Sequence, residues 1–522
     1  MFPLADCKTV CVLWAITGSV NRGKARCGLQ TFGFLRARFC QPVCRFFSNV
    51  VLTIHLDLYM RQKTPDLNRP TFGAATAAFV ASLLLGALVS LQLSGAGHLH
   101  GDPQAYFAQA LSMLNGWAGM GPFYWPPGTA LVVASALHLA GSTNPLIGWG
   151  VSCLFLAMDA ALVVILSDQL FGGRFTVVAA ALAAGYPTFL LTAGQTDSHI
   201  FGLFWVLLVT LCAVRGARLR KAGWFAVAGL ALGMAVLTRP ALGLLGLLVP
   251  WTVWLDADSK AREGLRLVLG RALVASMLAF VTMATVLVPV LVHNHSHQAG
   301  WTISTNNQRN FFLGNNPYTP LYRTWHFASR SLDQLPQNVS SYLRSIYAQP
   351  HARSAMVHAA VSEIRHHPAR FLIRTINRVC AFWGADYQAA RELQINLGLH
   401  RVPALLLFAV QAGGYWALLG LALVGTFAAR APRAGCPKKL LWGGALLLLI
   451  PYALAFSAPV YHFEALGLLF PLAAAGFVEV HDLVHANGLR GLLSLRHKRA
   501  LVLALGVFVI VQIEFLLLVR GH

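Results

Sequence analysis

The chain reads as an all-α polytopic membrane protein, and three observations carry that reading. It is 57% hydrophobic and only 11% charged, with a mean hydropathy of +0.60 over its 522 residues. That leaves too little polar surface to cover a soluble body of this size. The apolar residues also gather into runs near the ~20 positions that a helix needs to cross the hydrocarbon. Finally, the basic residues fall in alternate loops between those runs, which is how orientation signals are distributed. The net charge of +22 and the pI near 10.2 therefore report topology, and they do not point to nucleic acid.

The runs predict about eleven spans with the N-terminus inside. They are Phe72–Leu93, Ile147–Leu166, Phe175–Leu191, Ser198–Val214, Ala222–Leu237, Ala241–Leu255, Ala272–Val292, Val402–Phe427, Leu440–Phe456, Ala465–Val480 and Ala500–Val519. Inner loops then hold Arg174, the basic run Arg215 to Lys221, Lys260 to Arg271, Arg430 to Lys439 and Arg490 to Arg499. The short outer loops hold almost nothing basic except Arg239. The apolar stretch Thr129–Ala140 follows Pro126-Pro127 and is too short to cross, so it reads as an interfacial helix with Asp102–Leu114 as its partner.

Four regions follow. Residues 1–71 form an N-terminal cytoplasmic extension; 1–59 lack a proper span and are read as dispensable, or else as a short amphipathic anchor. Residues 72–292 hold seven spans, 293–401 form a polar extracytoplasmic region, and 402–522 return to membrane helices. Within the polar region Pro368–Gly384 reads as an amphipathic surface helix with Trp383 at headgroup depth. Five of the nine cysteines (Cys7, Cys11, Cys27, Cys40, Cys44) lie in the extension, and their spacing fits neither zinc nor a disulfide framework.

Polar residues from distant parts of the chain converge on the outer face by this parity. Between Ser94 and Leu146 there is no lysine or arginine, and Asp102 is the prominent acid. Asp102, Tyr106 and Gln109 share one face of a short helix, so that a carboxylate near the headgroup plane can act as general base on a hydroxyl. The competing reading of Asp102 is a helix N-cap ahead of Pro103, and Asp197, at the start of the fourth span, reads as a cap at least as well.

Arg239 sits in a short outer hairpin against the charge rule, which suits a lipid-linked phosphate or, failing that, a headgroup. The run Ser304–Asn316 carries Arg309, Asn310 and Asn315, amide donors suited to sugar hydroxyls, although Gly314–Pro317 is also an ordinary turn. Tyr461 and His462 lie in the last outer loop. His293, His295 and His297 alternate after the seventh span and are weak metal candidates. Asp159 lies inside the second span, nearer the inner face, and is expected to make a structural polar contact.

The order of these features resembles the GT-C class of membrane glycosyltransferases, which use polyprenyl-phosphate sugars. It is most similar to the bacterial branch of dolichyl-phosphate-mannose–protein mannosyltransferase-like and aminoarabinose-transferase-like enzymes. The resemblance runs from Phe72 to about Phe470. It rests on Asp102, Pro126–Gly128, Asp197, Arg239-Pro240, the segment ISTNNQRNFFLGNNP ending at Pro317, and Tyr461-His462. Relatives often carry a lysine just before the Pro-Pro pair, where this chain has Trp125.

The resemblance implies an inverting transfer at the outer face of a bacterial cytoplasmic membrane. The donor would be a polyprenyl-phosphate sugar, the acceptor a hydroxyl of a glycan, lipid or protein, and membrane lipids the surroundings. In that scheme Asp102 is the base, Asp197 assists, and Arg239 with Arg309 holds the phosphate. Tyr106, Gln109, Asn310, Asn315, Tyr461 and His462 complete the substrate-binding set. No cofactor is required by the sequence, and a divalent metal is left open. The alternatives are a multi-span transporter, for which no internal repeat is visible, and a lipid-linked oligosaccharide polymerase or ligase.

Overall fold

All eleven apolar runs are helical in the computed structural model, which describes residues 69–94, 101–258, 264–324, 331–428, 437–495 and 497–520. The expectations for residues 1–59, including their five cysteines, lie outside the described residues. Among the described residues there is no strand. Eight helical segments are long and apolar enough to cross a membrane. Of the other three runs, Phe175–Leu191 and Ala222–Leu237 form shorter helices, while Leu440–Phe456 falls largely in an 18-residue helix, Pro437–Leu454, that carries two lysines in its first turn.

The first half begins with α1 (Arg69–Ser94), α2 (Asp102–Leu114), α3 (Gly128–Ala140) and α4 (Pro145–Phe171). Asn144 caps α4, its side chain accepting from the Leu146 nitrogen, with Pro145 at the first helical position. The third expected span is broken into α5 (Thr176–Gly185) and α6 (Pro187–Thr192). Pro187 cannot donate to the ladder of the preceding turn, so the run stops at Tyr186 and restarts. Then come α7 (Ser198–Leu219), α8 (Ala222–Thr238), a 3₁₀ segment Pro240–Leu247 leading into α9 (Leu248–Asp258), and α10 (Leu265–Ser296).

Five helices make up most of the polar region: α11 (Asn306–Gly314), α12 (Gln337–Tyr347), α13 (Ala352–His366), α14 (Pro368–Phe382) and α15 (Gln388–Leu397). The chain ends with α16 (Arg401–Phe427), α17 (Pro437–Leu454), α18 (Phe463–Asn487) and α19 (Lys498–Arg520).

Helix α7 is the hub of the membrane part. It is buried from Ser198 to Ala217 and packs on α4, α8, α9 and α18. Such a helix is apolar all round because no side of it meets lipid or water. By contrast α1, α10 and α19 leave wide apolar faces outward, as helices with a lipid-facing side do.

Helices α2 and α3, 13 residues each, pack against each other and reach only about 20 Å apiece. They are the two short helices expected from the sequence. Gly128 seats α3 against the end of α8: a Cβ there would fall 2.5 Å from the Thr238 nitrogen. The Pro-Pro-Gly run is therefore a backbone contact that sets the position of the next residue along, Arg239.

One expectation is refined and one is corrected. Helix α14 is amphipathic as expected, and its charged side faces inward. Arg374 and Arg378 are buried and donate to backbone carbonyls of Thr319, Gly314, Ala453 and Leu454, while Leu372, Ile373 and Ile376 face out. Burial lowers the two guanidinium groups to about 10 and about 9 respectively. Asp159 is fully buried in α4, and neither of its oxygens has a hydrogen-bond partner, so the expected polar contact does not form. One turn before it Phe155 packs among Phe201, Phe204 and Trp205, a largely apolar environment.

Candidate active site

Helix ends bring the site together. Asp102 opens α2, Asp197 precedes α7, Arg239 follows α8, Tyr452 lies near the end of α17, and Tyr461 and Glu464 begin the run into α18. Helices starting or stopping at one level put their polar end residues side by side while their apolar bodies pack below.

Asp102 is not a cap. Gly101 occupies the N-cap position, no side chain caps the helix, and Asp102 is the first helical residue with Pro103 next. Its carboxylate is thus free of the structural duty that the Asp-Pro sequence suggested. It keeps solvent access, yet the surrounding protein strips away enough water to lift the carboxyl to about 6. Burial is the main cause and the neighbouring Asp197 charge adds to it, while Arg239 and His199 pull the other way.

Asp197 is a cap. Its side chain accepts from the His199 nitrogen at 3.4 Å and from the Ser198 hydroxyl at 3.3 Å.

The expectation that Arg239 lies open on a short hairpin does not hold. The loop is short, but the side chain runs inward and is only 13% exposed, because a buried acid waits for it. Its Nε lies 3.1 Å from Glu464 Oε1. Nη1 donates to Ser198 Oγ at 2.9 Å and reaches His199 Nε2 at 3.2 Å, and Nη2 donates to the Tyr452 hydroxyl at 2.9 Å. The Tyr461 ring lies 5.3 Å below the guanidinium and stacks on Tyr452 at 4.5 Å. Arginine only donates, so His199 Nε2 must accept, which leaves Nδ1–H to donate to Glu464 at 3.2 Å.

Arg239, His199 and Glu464 therefore form one ion network. Gly202 makes room for it: a Cβ there would meet Glu464 Oε1 at 2.9 Å and Arg239 Cδ at 3.3 Å. Gly202→Ala is expected to push the pair apart and lower stability by about 1–3 kcal/mol. An unchanged thermal midpoint in detergent would show that the network yields without cost.

The remaining expected residues divide into two groups. Tyr106 is buried beside Ser198 and packs on Trp125 at 5.8 Å, and burial pushes its phenol up. Gln109 donates to the Trp125 carbonyl at 3.3 Å. Both belong to the Asp102 wall. Arg309 and Asn310 are half-buried on α11, where the Arg309 guanidinium faces the Tyr347 hydroxyl. Asn315 turns inward instead; its amide nitrogen serves the Phe311 and Leu454 carbonyls and its oxygen accepts from Arg378. His462 is likewise buried, its Nδ1 on the Phe382 carbonyl at 2.6 Å and its ring stacked on Tyr415.

His293 and His297 pack together, His293 meeting the Gly121 carbonyl, while His295 stacks on Trp301. No set of three or more ligating side chains that could hold a metal ion occurs among the described residues.

Sequence reasoning missed Glu464, His199, Tyr452 and Glu392. Glu464 had a signal, an acid at the head of an apolar span, where such residues do something by default. Glu392 had none. It lies on α15, takes hydrogen bonds from Gln388 and Gln195, and stands within electrostatic reach of Asp197 and Asp102. Burial is the main cause that raises its carboxyl.

Comparison with known proteins adds the following. No curated protein matches the chain. Among solved structures, the Archaeoglobus fulgidus oligosaccharyltransferase in complex with zinc and sulfate is similar at 15% identity, covering 79% of this chain and 50% of that one, with a TM-score of 0.42. The apo form of the same enzyme gives 15% identity, coverages of 80% and 52%, and a TM-score of 0.43. The archaeal oligosaccharyltransferase AglB from Archaeoglobus fulgidus, with an inhibitory peptide and a dolichol-phosphate, gives 15%, 84%, 55% and 0.40. The chain thus spans about half the length of the structures it matches. In the stretch that carries Asp197, His199 and Arg239, residues 125–293 match the model of the dolichyl-phosphate-mannose-protein mannosyltransferase family.

Proposed function

We propose that the chain is a membrane glycosyltransferase. It moves one hexosyl or pentosyl group, with inversion, from a polyprenyl-phosphate-linked donor to a hydroxyl of a glycan, lipid or protein. The observation that carries this reading is Asp102, a carboxylate outside any capping role whose carboxyl is lifted to about 6. Such a group is largely ionised at neutral pH yet more basic than an ordinary aspartate, the compromise a general base needs. It takes the proton of the acceptor hydroxyl as that oxygen bonds the anomeric carbon. The leaving polyprenyl phosphate needs compensating positive charge rather than a proton.

The family match over residues 125–293 supports the donor class. Asp197 stands beside the base and keeps its carboxyl high. The purified full chain should release polyprenyl phosphate from a polyprenyl-phosphate sugar only when acceptor is present. Release that does not depend on acceptor would speak against transfer.

The pH dependence follows from Asp102. Protonation removes the base, so kcat/KM is expected to fall as pH drops through about 6. Asp197→Asn keeps the helix cap but removes a like charge, and should move that acid limb to lower pH. A limb that stays in place in Asp197→Asn would detach it from the Asp102–Asp197 pair.

The orientation that fits this chemistry puts the N-terminus in the cytoplasm and the site on the outer face of a bacterial cytoplasmic membrane. The alternating basic loops support it. With the native accessible thiols replaced, a cysteine at Gln349, which is exposed, should react with an impermeant reagent from outside. A cysteine at Lys439, also exposed, should not. Labelling of position 439 alone would invert the orientation.

A further inference from the structure

Away from the Asp102 site, the polar region holds a cleft of about 620 Å³ between α12 and α13, large enough for a sizeable ligand. Its wall on the α13 side is a stripe at helical spacing: His351, Ser354, His358, Ser362 and His366, with Ala355 and Ala359 keeping the floor low. From His351 to His366 the stripe runs about 22 Å at the rise of a helix. Opposite it, α12 supplies Tyr342 and Ile346, one turn apart.

The lining offers hydrogen bonds and few fixed charges. No lysine or arginine lines the cleft, and Glu363, its one carboxylate, is already held by Arg370 at 2.8 Å and by Arg374 at 3.7 Å. A neutral imidazole has one donor and one acceptor, and a serine hydroxyl both gives and accepts, the same pairing that a sugar hydroxyl presents. In His366 the Nδ1–H donates to the Ser362 carbonyl at 2.8 Å, which leaves Nε2 to accept from a ligand. Aromatic rings lead from the cleft to the reaction site. Tyr347 follows Ile346 on α12 and has Tyr124 within electrostatic reach, and Tyr124 packs on Trp125 at 5.2 Å. Trp125 in turn packs on Tyr106, one turn along α2 from Asp102.

We propose that this cleft holds an uncharged glycan chain, whose end residue reaches Asp102 past Tyr347, Tyr124 and Trp125 as the acceptor. This rests on, and sharpens, the reading of the chain as a transferase, since it selects a glycan over a lipid or a protein as acceptor. Sugar rings carry hydroxyls at their edges and C–H groups on their faces, so a wall of imidazoles and hydroxyls beside aromatic rings meets both. A lipid needs an apolar surface, and none of the outward apolar residues of α14, Leu372, Ile373 and Ile376, lines the cleft. A peptide docks by adding a strand to a sheet edge or by laying a helix in an apolar groove. Among the described residues there is no strand to extend, and the stripe on α13 is polar.

The test is a titration of the detergent-purified full chain by saturation-transfer NMR with linear neutral hexasaccharides of glucose, mannose, galactose and N-acetylglucosamine. At least one is expected to bind. Ser354→Trp, at an exposed position, puts a bulky ring into the cleft and should weaken that binding about tenfold. His358→Ala, also exposed, should cost a few-fold at an unchanged melting midpoint, and it carries the test if Ser354→Trp fails to fold. With the bound hexasaccharide as acceptor, Ser354→Trp should raise KM and leave kcat at the parent level. No binding by any of the hexasaccharides, or binding that both variants leave unchanged in folded protein, would overturn the proposal. Transfer by Ser354→Trp at the parent KM would remove the cleft from the reaction and leave the transferase reading intact. Binding that depends on Ser354 and His358 in a chain that transfers no sugar would sink the transferase reading and keep the cleft as a glycan site.

Discussion

Asp102→Asn is expected to abolish sugar transfer, a loss of about 10²–10⁴-fold, while insertion and thermal stability stay at the parent level. The amide has the size of the carboxylate but cannot take a proton. Stability should hold because Asp102 neither caps α2 nor carries an ion pair among the described residues; Gly101 is the cap. The measurement is initial rate of transfer together with the melting midpoint of the same preparation. Parent-level activity would move the base elsewhere, with Glu392 and Asp197 as the acids in reach. A parallel fall in stability would mean that Asp102 is structural after all.

The second large effect is on folding. Arg239→Ala should destabilise the protein by about 3–5 kcal/mol, because Glu464 is left buried without its cation. The site is tightly tied: Arg239 also donates to Ser198 and Tyr452, and Glu464 is 1% exposed. Glu464→Gln should cost a similar amount by stranding the guanidinium. The double variant Arg239→Leu with Glu464→Leu should recover part of the loss, since neither charge is then stranded. Thermal unfolding of the four proteins in one detergent decides it. Additive single effects would show that the two residues do not act as a pair.

These two residues mark how far the sequence could be read. Asp102 could be singled out because a lone acid in a basic protein, in a loop free of lysine and arginine, is a local fact of the chain. Arg239 could be singled out for the same reason, as a charge in the wrong loop. Its partner could not. Glu464 lies more than two hundred residues away, and the contact exists only because α7 and α18 pack closely enough, past Gly202, for the two side chains to meet. The sequence therefore singled out Arg239 as a charge against the loop rule, and only the fold shows the carboxylate that it pairs with.

The same division runs through the fold. Hydropathy and charge determined the helical class, the eleven apolar segments and the two short helices around the Pro-Pro-Gly run, because crossing a membrane is a demand that each segment meets by itself. Which way a helix turns its faces is set by neighbours. In α14 the arginines face inward because carbonyls of Gly314, Thr319, Ala453 and Leu454 wait there, and no periodicity in Pro368–Phe382 could reveal them. Asn315 and Asn316, read as sugar ligands or as a turn, spend their amides on backbone carbonyls of the same packed corner. Glu392 reaches Asp197 through a helix that nothing in its own segment aims there. A span's apolarity is a sum over its own residues, whereas a buried polar contact is a property of two distant segments at once, and only the tertiary structure decides it.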